Sequence, residues 1–224
     1  MSTILISGAG RGLGFELARQ YAADGWRVIG TVRDAAARGR LEKLGAEGHI
    51  ADVTRREQLA AVGKKLQGTA LDVLFCNAGI IGKRGMALGS FDYESWEDVL
   101  RVNLLGAAAL AEALVDNVAA SERKVIAMMS SRLGSIAESS GETLPYATSK
   151  AALNMLVKGL AVTLAAKRIA VVALSPGWVR TDMGGAGAPL ASETSVKGLR
   201  QVIAGLKSGD SGRFFSHDGS SIPW

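Results

Sequence analysis

The chain has 224 residues, of which 48% are hydrophobic and 21% are charged, and its formal net charge is +5. This is the composition of a globular protein with a substantial core. Its single cysteine, Cys76, excludes a disulfide within the chain, and the two histidines, His49 and His217, lie in no ligand-spaced cluster, so we predict no metal site. We find no run of five like charges and no basic stripe with aromatics, so nucleic-acid binding is not supported.

The N-terminus, MSTILISGAG, has neither the basic region nor the long apolar region of a signal peptide. No segment has the roughly twenty uncharged apolar residues that a membrane span requires. We therefore expect a cytoplasmic protein with no membrane partner.

A strand, a glycine-rich turn and a helix open the chain. The apolar run TILIS (3–7) predicts a buried strand, GAGRGLG (8–14) follows it, and a helical pattern then runs to Gly25. This order presents backbone N–H groups to a phosphate at a helix N-terminus. The glycines lack the G-x-G-x-x-G spacing of two-domain dehydrogenases. A turn without a ligand is the alternative interpretation.

The second predicted strand, residues 26–32, leads into Arg33 with no carboxylate before Asp34. In a dinucleotide-binding unit, an acidic residue here would bind the ribose 2′-hydroxyl, whereas a basic residue suits a 2′-phosphate. Arg11 in the glycine turn could reach the same place, and two guanidinium groups suit a phosphate dianion. Together the arginines favour NADP(H) over NAD(H), although Arg33 alone would equally suit a solvated loop.

Later segments continue the alternation of strands and helices. Strands are predicted at 48–53, 71–75, 124–129, 169–174 and 213–216, and helices at 38–44, from Thr54, at 97–120, at 146–165 and at 194–206. TRRE (54–57) predicts a capping box, and Asp52 is placed to accept a hydrogen bond from an adenine amine. The pattern predicts one Rossmann-type α/β domain over residues 1–224, a doubly wound parallel sheet of about seven strands with helices on both faces.

Polar residues stand out after the fourth strand and within the long helix. Asn77 and Gly79 of CNAG (76–79) predict a tight turn at a strand's carboxyl end, where open α/β sheets bind ligands. Asn103 lies inside a helical pattern, where asparagine is mildly unfavourable. It is therefore either on the surface or placed there for a reason.

Tyr146 and Lys150 lie four residues apart on a predicted helix and so share one face. A cation beside the phenol favours the phenolate, so we predict a lowered pKa for Tyr146. Such a tyrosine exchanges a proton near neutral pH, and a serine hydroxyl alongside could hold a carbonyl oxygen. The alternative is a chance spacing, with a solvated lysine and a packed tyrosine.

Several stretches in register resemble the short-chain dehydrogenase/reductase family, in its single-domain branch. They are GAGRGLG, DVT (52–54), CNAG, the asparagine of VNLLG, Ser131, YATSK (146–150) and PGWVRTDM (176–183). Within the family, the ending HDGSSIPW and the segment PGWVRTDMGGAGAPL are most similar to the C-factor and sniffer-type carbonyl reductases. Two features depart from the family pattern: Cys76 stands where an asparagine is usual, and the loop at 135–145 is longer.

The resemblance implies which residues form the site. The implied catalytic tetrad is Asn103, Ser131, Tyr146 and Lys150, with Ser130 and Ser135 as alternatives to Ser131. The cofactor-binding residues, including the two arginines, are Gly8, Arg11, Gly12, Leu13, Gly14, Arg33, Asp52, Val53, Asn77, Ala78, Gly79, Tyr146, Lys150, Pro176, Gly177, Val179 and Thr181. The roles implied are an adenine contact for Asp52 and a carboxamide or phosphate contact for Thr181.

The resemblance also implies an activity, that of an NADPH-dependent oxidoreductase reducing an aldehyde, ketone or quinone. Tyr146 would be its general acid/base, Ser131 would bind the carbonyl oxygen, and Asn103 would hold a water leading to Lys150. A C-factor-like signalling or nucleotide-sensing protein with the same fold is the alternative. An epimerase or dehydratase acting on nucleotide sugars would need a larger C-terminal domain. We expect a small-molecule partner and a homodimer or homotetramer formed through the helices that carry Asn103 and Tyr146.

Overall fold

The computed structural model describes residues 1–224, apart from the side chain of Ser208. One sheet of seven strands forms its centre, in the order β3-β2-β1-β4-β5-β6-β7, and every pair of neighbours is parallel. The strands are β1 (Thr3–Ser7), β2 (Arg27–Val32), β3 (Glu47–Ile50), β4 (Val73–Cys76), β5 (Val125–Met129), β6 (Ala170–Ser175) and β7 (Phe214–Ser216).

Helices cover both faces of this sheet. They are α1 (Gly12–Ala23), α2 (Ala35–Glu42), α3 (Arg56–Lys65), α4 (Tyr93–Leu100), α5 (Gly106–Ala119), α6 (Leu144–Thr163) and α7 (Ser192–Gly205). One hydrophobic cluster joins the sheet to α3, α5 and α6, and a second joins it to α1, α2 and α7. The predicted fold class is therefore confirmed. None of the helices in the described chain combines the length and the apolar character of a membrane span.

The strand order reverses between β1 and β4, and this places the site. The chain runs from β1 outward to β2 and β3, and then returns to place β4 on the other side of β1. Loops that follow β1 and β4 diverge at the carboxyl edge of the sheet, which opens a crevice there. The glycine turn and the CNAG segment both line the cleft at this edge.

The segment after β3 differs from the prediction. This strand ends at Ile50 rather than at residue 53. The predicted capping box is wrong, because α3 begins at Arg56 and no side chain caps it. The Thr54 hydroxyl instead donates to Asp52 Oδ1 at 2.8 Å, and a threonine engaged in a local turn cannot cap the following helix.

The long helix around Asn103 changes pitch in its middle. A π-helical turn over Arg101–Leu105 joins α4 to α5, and such turns occur frequently at functional sites. Asn103 lies within it and is 1% exposed. The surface interpretation of Asn103 is therefore excluded.

Candidate active site

A cleft at the carboxyl edge of the sheet gathers most of the predicted site. All the predicted cofactor-binding residues line it except Gly177 and Val179. The Val179 side chain is buried, and its backbone pairs with that of Leu190. Gly177 lies against the His217 ring instead.

The glycine turn forms one wall of the cleft by close approach of bare backbone. Gly12 has a φ of +53°, in the left-handed region that favours glycine. At Gly14, a Cβ would overlap the Gly8 carbonyl oxygen and lie 2.5 Å from Asn77 Nδ2. Asn77 Nδ2 also donates to the Ser7 carbonyl oxygen at 3.0 Å, which ties the turn to the CNAG segment. The start of α1 therefore packs directly on the glycine turn and lies in the cleft lining, where the N–H groups of a helix N-terminus suit a phosphate.

Three exposed arginines lie at the outer end of the cleft: Arg11, Arg33 and Arg40. Arg11 Nη1 lies 3.1 Å from Asp182 Oδ2, and Arg40 Nη2 donates to the Gly10 carbonyl oxygen at 3.0 Å. The one nearby carboxylate after β2, that of Asp34, accepts from the Ala37 N–H at 2.7 Å and so caps α2. The outer end is therefore rich in positive charge that suits a phosphate. Arg40 was not identified from the sequence, because no sequence pattern indicated that this part of α2 lies beside the glycine turn.

Thr31 and Asp52 supply polar groups to the same end of the cleft. Thr31 is 1% exposed, and its hydroxyl has no hydrogen-bond partner among the described residues. A buried polar group without a partner is rare and suggests that a ligand completes it. Hydrogen bonds from the Thr54 backbone and hydroxyl lower the pKa of Asp52 below its ordinary value, although burial opposes them. Asp52 is therefore a ready acceptor.

Tyr146 and Lys150 project together from α6 into the floor of the cleft. Lys150 Nζ lies 5.5 Å from the centre of the Tyr146 ring and donates to the Met129 carbonyl oxygen at 2.7 Å. The exposed fractions are 9% for Tyr146 and 2% for Lys150. Both groups are thus held in fixed positions out of bulk water.

Burial controls the pKa values of this pair. It raises the pKa of Tyr146 to about 12, although the neighbouring Ser131 hydroxyl acts in the opposite direction. Burial lowers the pKa of Lys150 from its ordinary 10.5 to about 7. The predicted lowering of the Tyr146 pKa is therefore wrong, because loss of hydration of the phenolate outweighs the effect of nearby groups. At neutral pH, Tyr146 carries its proton and can donate it.

Of the three candidate serines, only Ser131 has its hydroxyl beside the phenol. Ser130 is 1% exposed and donates to Asn154 Oδ1 at 2.6 Å. Ser135 is also 1% exposed, and its hydroxyl accepts from the Glu138 N–H at 3.2 Å. Ser131 is half-buried, and its hydroxyl neighbours the Tyr146 phenol.

Asn103 connects three segments behind the cleft. Its Oδ1 accepts from the Ile80 N–H at 2.8 Å, and its Nδ2 donates to the Ile80 carbonyl oxygen at 2.9 Å and to Ser149 Oγ at 3.0 Å. The side chain thereby joins the chain after CNAG to the π-helical turn and to α6. Neither Asn103 nor Ser131 is among the residues that line the cleft wall.

Cys76 lies in the core of the protein. The Cys76 thiol is buried 3.9 Å from the Ala107 carbonyl oxygen, and burial raises its pKa to about 12. It therefore packs as a small apolar group. Within the described residues, no group of three His, Cys, Asp or Glu side chains is placed to hold a metal ion.

Comparison with known proteins decides the family. Residues 2–189 match the family model for short chain dehydrogenases. The chain belongs to this family. It is similar to C-signal from Myxococcus xanthus, with 39% identity over 155 residues that cover 69% of this chain and 93% of C-signal. The family resemblance and the classification as an oxidoreductase are thus confirmed.

Solved structures of related proteins have the same fold over their whole length. The carbonyl reductase Sniffer of D. melanogaster is 33% identical, with a TM-score of 0.91 and complete coverage of both chains. A short-chain dehydrogenase/reductase from Burkholderia multivorans with bound NADP is also 33% identical, with a TM-score of 0.89 and coverage of 100% of this chain and 99% of the other.

Proposed function

We propose that this short-chain dehydrogenase is an NADPH-dependent carbonyl reductase acting on an aldehyde, ketone or quinone, with cofactor and catalytic groups on one domain. The observation that carries the proposal is the buried Tyr146 phenol in the cleft, with the Ser131 hydroxyl beside it and Lys150 Nζ 5.5 Å from the centre of its ring. The similarity to Sniffer, a carbonyl reductase, supports it.

The residues of the cleft fit NADP(H), which supplies the hydride when bound. The glycine turn and the start of α1 would hold the pyrophosphate. Arg11 and Arg33 would bind the 2′-phosphate, and the Thr31 hydroxyl would gain the partner that it lacks. The bound NADP of the Burkholderia multivorans relative supports this choice. NAD(H) is the weaker alternative, because Asp34 is engaged as a helix cap.

Tyr146 would protonate the substrate oxygen during reduction. The Ser131 hydroxyl would donate a hydrogen bond to the same oxygen and hold it beside the phenol. As the proton leaves, the ammonium form of Lys150 would stabilise the phenolate that remains. General acid catalysis of this kind contributes about 10²–10⁴-fold in rate. Asn103, held in the π-helical turn, would keep a water that connects Lys150 to solvent.

The test is NADPH oxidation with a panel of aldehydes, ketones and quinones. The variant Tyr146→Phe removes the proton donor while keeping the ring, and should lose about 10²–10⁴-fold in rate. Tyr93→Phe is the matched control, since Tyr93 is 69% exposed on α4, and it should keep the wild-type rate. A wild-type rate for Tyr146→Phe would show that this mechanism is wrong.

A second candidate is a signalling or nucleotide-sensing role, which the similarity to C-signal favours. A protein of this kind would bind NADP(H) but would not need proton transfer from Tyr146. Combining Tyr146→Phe with Lys150→Ala discriminates between the candidates. A biological signal that survives both substitutions would favour sensing over catalysis.

We also propose that the enzyme is a homodimer or homotetramer. A largely apolar groove runs between α5 and α6, lined by Ala108, Ala111, Glu112, Val115, Leu156, Leu160 and Leu164. Met155 and Val162 on α6 are 72% and 76% exposed. Burying this surface against a second copy would remove apolar area from water.

A further inference from the structure

Asn154 is a buried amide on α6 that holds both sides of the turn carrying Ser131. It is 4% exposed. Its Oδ1 accepts from Ser130 Oγ at 2.6 Å, and its Nδ2 donates to the Gly134 carbonyl oxygen at 3.0 Å. Ser130 directly precedes Ser131, and Gly134 follows it by three residues. One side chain therefore bonds to the chain before and after Ser131.

The same helix holds the phenol that Ser131 must meet. Tyr146, Lys150 and Asn154 are spaced by four residues and lie on one face of α6. Asn154 is thus two turns beyond Tyr146, a rise of about 12 Å along the helix. The element that positions the proton donor also fixes the turn with the Ser131 hydroxyl.

Close packing makes this connection rigid. At Gly134, a Cβ would lie 2.7 Å from Lys150 Cβ and 2.8 Å from the Lys150 carbonyl carbon, so only glycine lets the turn sit directly on α6. The turn closes on itself through a bond from the Gly134 N–H to the Ser131 carbonyl oxygen at 2.8 Å. A shift of Gly134 would therefore move Ser131 as well.

Loss of the Asn154 amide would leave two buried groups without partners, the Ser130 hydroxyl and the Gly134 carbonyl oxygen. Buried groups of this kind are almost always hydrogen-bonded. The turn would have to move to recover partners for them, and the Ser131 hydroxyl would move relative to the Tyr146 phenol.

We infer that Asn154 is a positioning residue that sets the Ser131 hydroxyl against the Tyr146 phenol. The inference rests on the proposed function, because it takes Ser131 as the group that binds the substrate oxygen. Asn154 itself is not among the residues that line the cleft, and it acts through the Ser131 turn.

The first experiment compares Asn154→Ala with a matched buried amide. A small misplacement of a reacting group can cost up to about 10²-fold, so we expect kcat to fall about tenfold to a hundredfold with little change in NADPH affinity. Asn117→Ala is the control. Asn117 is 9% exposed and donates to the Leu66 and Thr69 carbonyl oxygens at 2.7 and 2.8 Å, outside the cleft. It should lower the melting temperature comparably and leave kcat unchanged. Equal kcat values for the two variants would overturn the inference.

A double-mutant cycle with Ser131→Ala separates positioning from other effects. Ser131→Ala alone should lower kcat, and Asn154→Ala should add little further loss in that background because its target is gone. If Ser131→Ala lowers kcat but the double variant shows the product of the two single losses in kcat, only the positioning role of Asn154 is overturned. If Ser131→Ala keeps the wild-type rate, the proposed function fails in its assignment of Ser131, and the inference falls with it.

Should Asn154→Ala not fold, Asn154→Asp gives an independent readout. Its carboxyl can still accept from Ser130, but the second oxygen faces the Gly134 carbonyl oxygen. The carboxylate repels that carbonyl, whereas the protonated acid can donate to it. The ratio of the variant kcat to the wild-type kcat should therefore rise as the pH falls through the pKa of the new carboxyl group. A ratio independent of pH would contradict the positioning role.

Discussion

The two ends of the cleft are built in opposite ways. At the α6 end, Tyr146, Lys150 and Asn154 are each no more than 9% exposed, and Lys150 and Asn154 donate to backbone carbonyl oxygens at 2.7 and 3.0 Å. At the outer end, Arg11 and Arg33 are exposed, and the Arg11 side chain pairs with a side chain of Asp182 that is 82% exposed. Packing fixes the proposed reacting groups, whereas at the outer end exposed charges stand beside the buried Thr31 hydroxyl.

This difference ranks the expected effects of substitution. Exposed ion pairs contribute about 0–1 kcal/mol each, because water and salt screen them. Breaking a buried polar contact costs more, because the remaining partner is left without water. We therefore expect the largest effects at the α6 end, smaller ones at the arginines, and the smallest effect on catalysis at the distant α5–α6 groove.

Lys150→Met tests the buried end through stability. The Lys150 pKa is lowered from 10.5 to about 7, so between these values the unfolded chain binds a proton that the folded chain releases. Lys150 therefore makes the free energy of unfolding of the ligand-free wild type increase as the pH rises through this range. The variant lacks this increase. Urea titrations across this pH range should show the free energy of unfolding of the wild type rising by about a few kcal/mol relative to that of Lys150→Met. If the difference in free energy of unfolding between the two proteins does not change with pH, the lowered pKa of the buried Lys150 is contradicted.

The same substitution tests the role of the charge in the rate. Lys150 is an ammonium below a pH of about 7, so kcat/KM for reduction should decline as the pH rises through that value. Lys150→Met should be slower and should lack this inflection. Lys158→Met is the control, because Lys158 is an exposed lysine on the same helix, and its pH profile should match the wild type. An unchanged inflection in Lys150→Met would assign it to another group.

Replacing Arg11 and Arg33 with alanine tests the outer end. The dissociation constant for NADPH should rise by about tenfold or more in the double variant, since charge-assisted bonds to the 2′-phosphate are lost. The constant for NADH should change little. Isothermal titration calorimetry measures both, with Arg56→Ala on α3 as a control outside the cleft. Equal weakening for the two nucleotides would place the arginines on the pyrophosphate instead.

A charge placed in the α5–α6 groove tests the proposed assembly. Leu160→Glu should convert the dimer or tetramer to a single chain, because assembly would bury a second carboxylate in the groove that Glu112 already lines. Catalysis should persist, since the groove is separate from the cleft. Light scattering after size-exclusion chromatography gives the mass. A wild-type protein that already elutes as a single chain would contradict the proposal.

Much of the fold could be predicted from local patterns. Parallel strands that are buried on both faces read as short apolar runs, and TILIS at β1 and AVVALS at β6 are of this kind. The glycine turn after β1 was also predictable, because its backbone conformation requires glycine and the glycines are visible in the sequence. Its position in the cleft follows from the strand order.

Burial depth could not be predicted in the same way. A spacing of four places Lys150 beside Tyr146, but it does not reveal that both leave water, which is what reverses the expected pKa of Tyr146. Thr54 could cap a helix or bond to a neighbouring carboxylate, and only the folded turn shows the choice of Asp52. Asn154 was not identified from the sequence, because a single polar residue in a helical pattern carries little information. The sequence indicated its position only through its spacing, because Asn154 follows Lys150 by four residues, as Lys150 follows Tyr146.

The most direct test of the account follows deuterium from NADPH to product. NADPH is deuterated at C4 of the nicotinamide and each diastereomer is used in turn. With one of the two diastereomers, the wild type should place one deuterium on the carbinol carbon of an accepted substrate, and with the other it should place none. Tyr146→Phe should still be stabilised against thermal unfolding by NADPH, as binding to the native state requires, yet should transfer deuterium at about 10²–10⁴-fold lower rate. Transfer by Tyr146→Phe at the wild-type rate would contradict the assignment of Tyr146 as the proton donor.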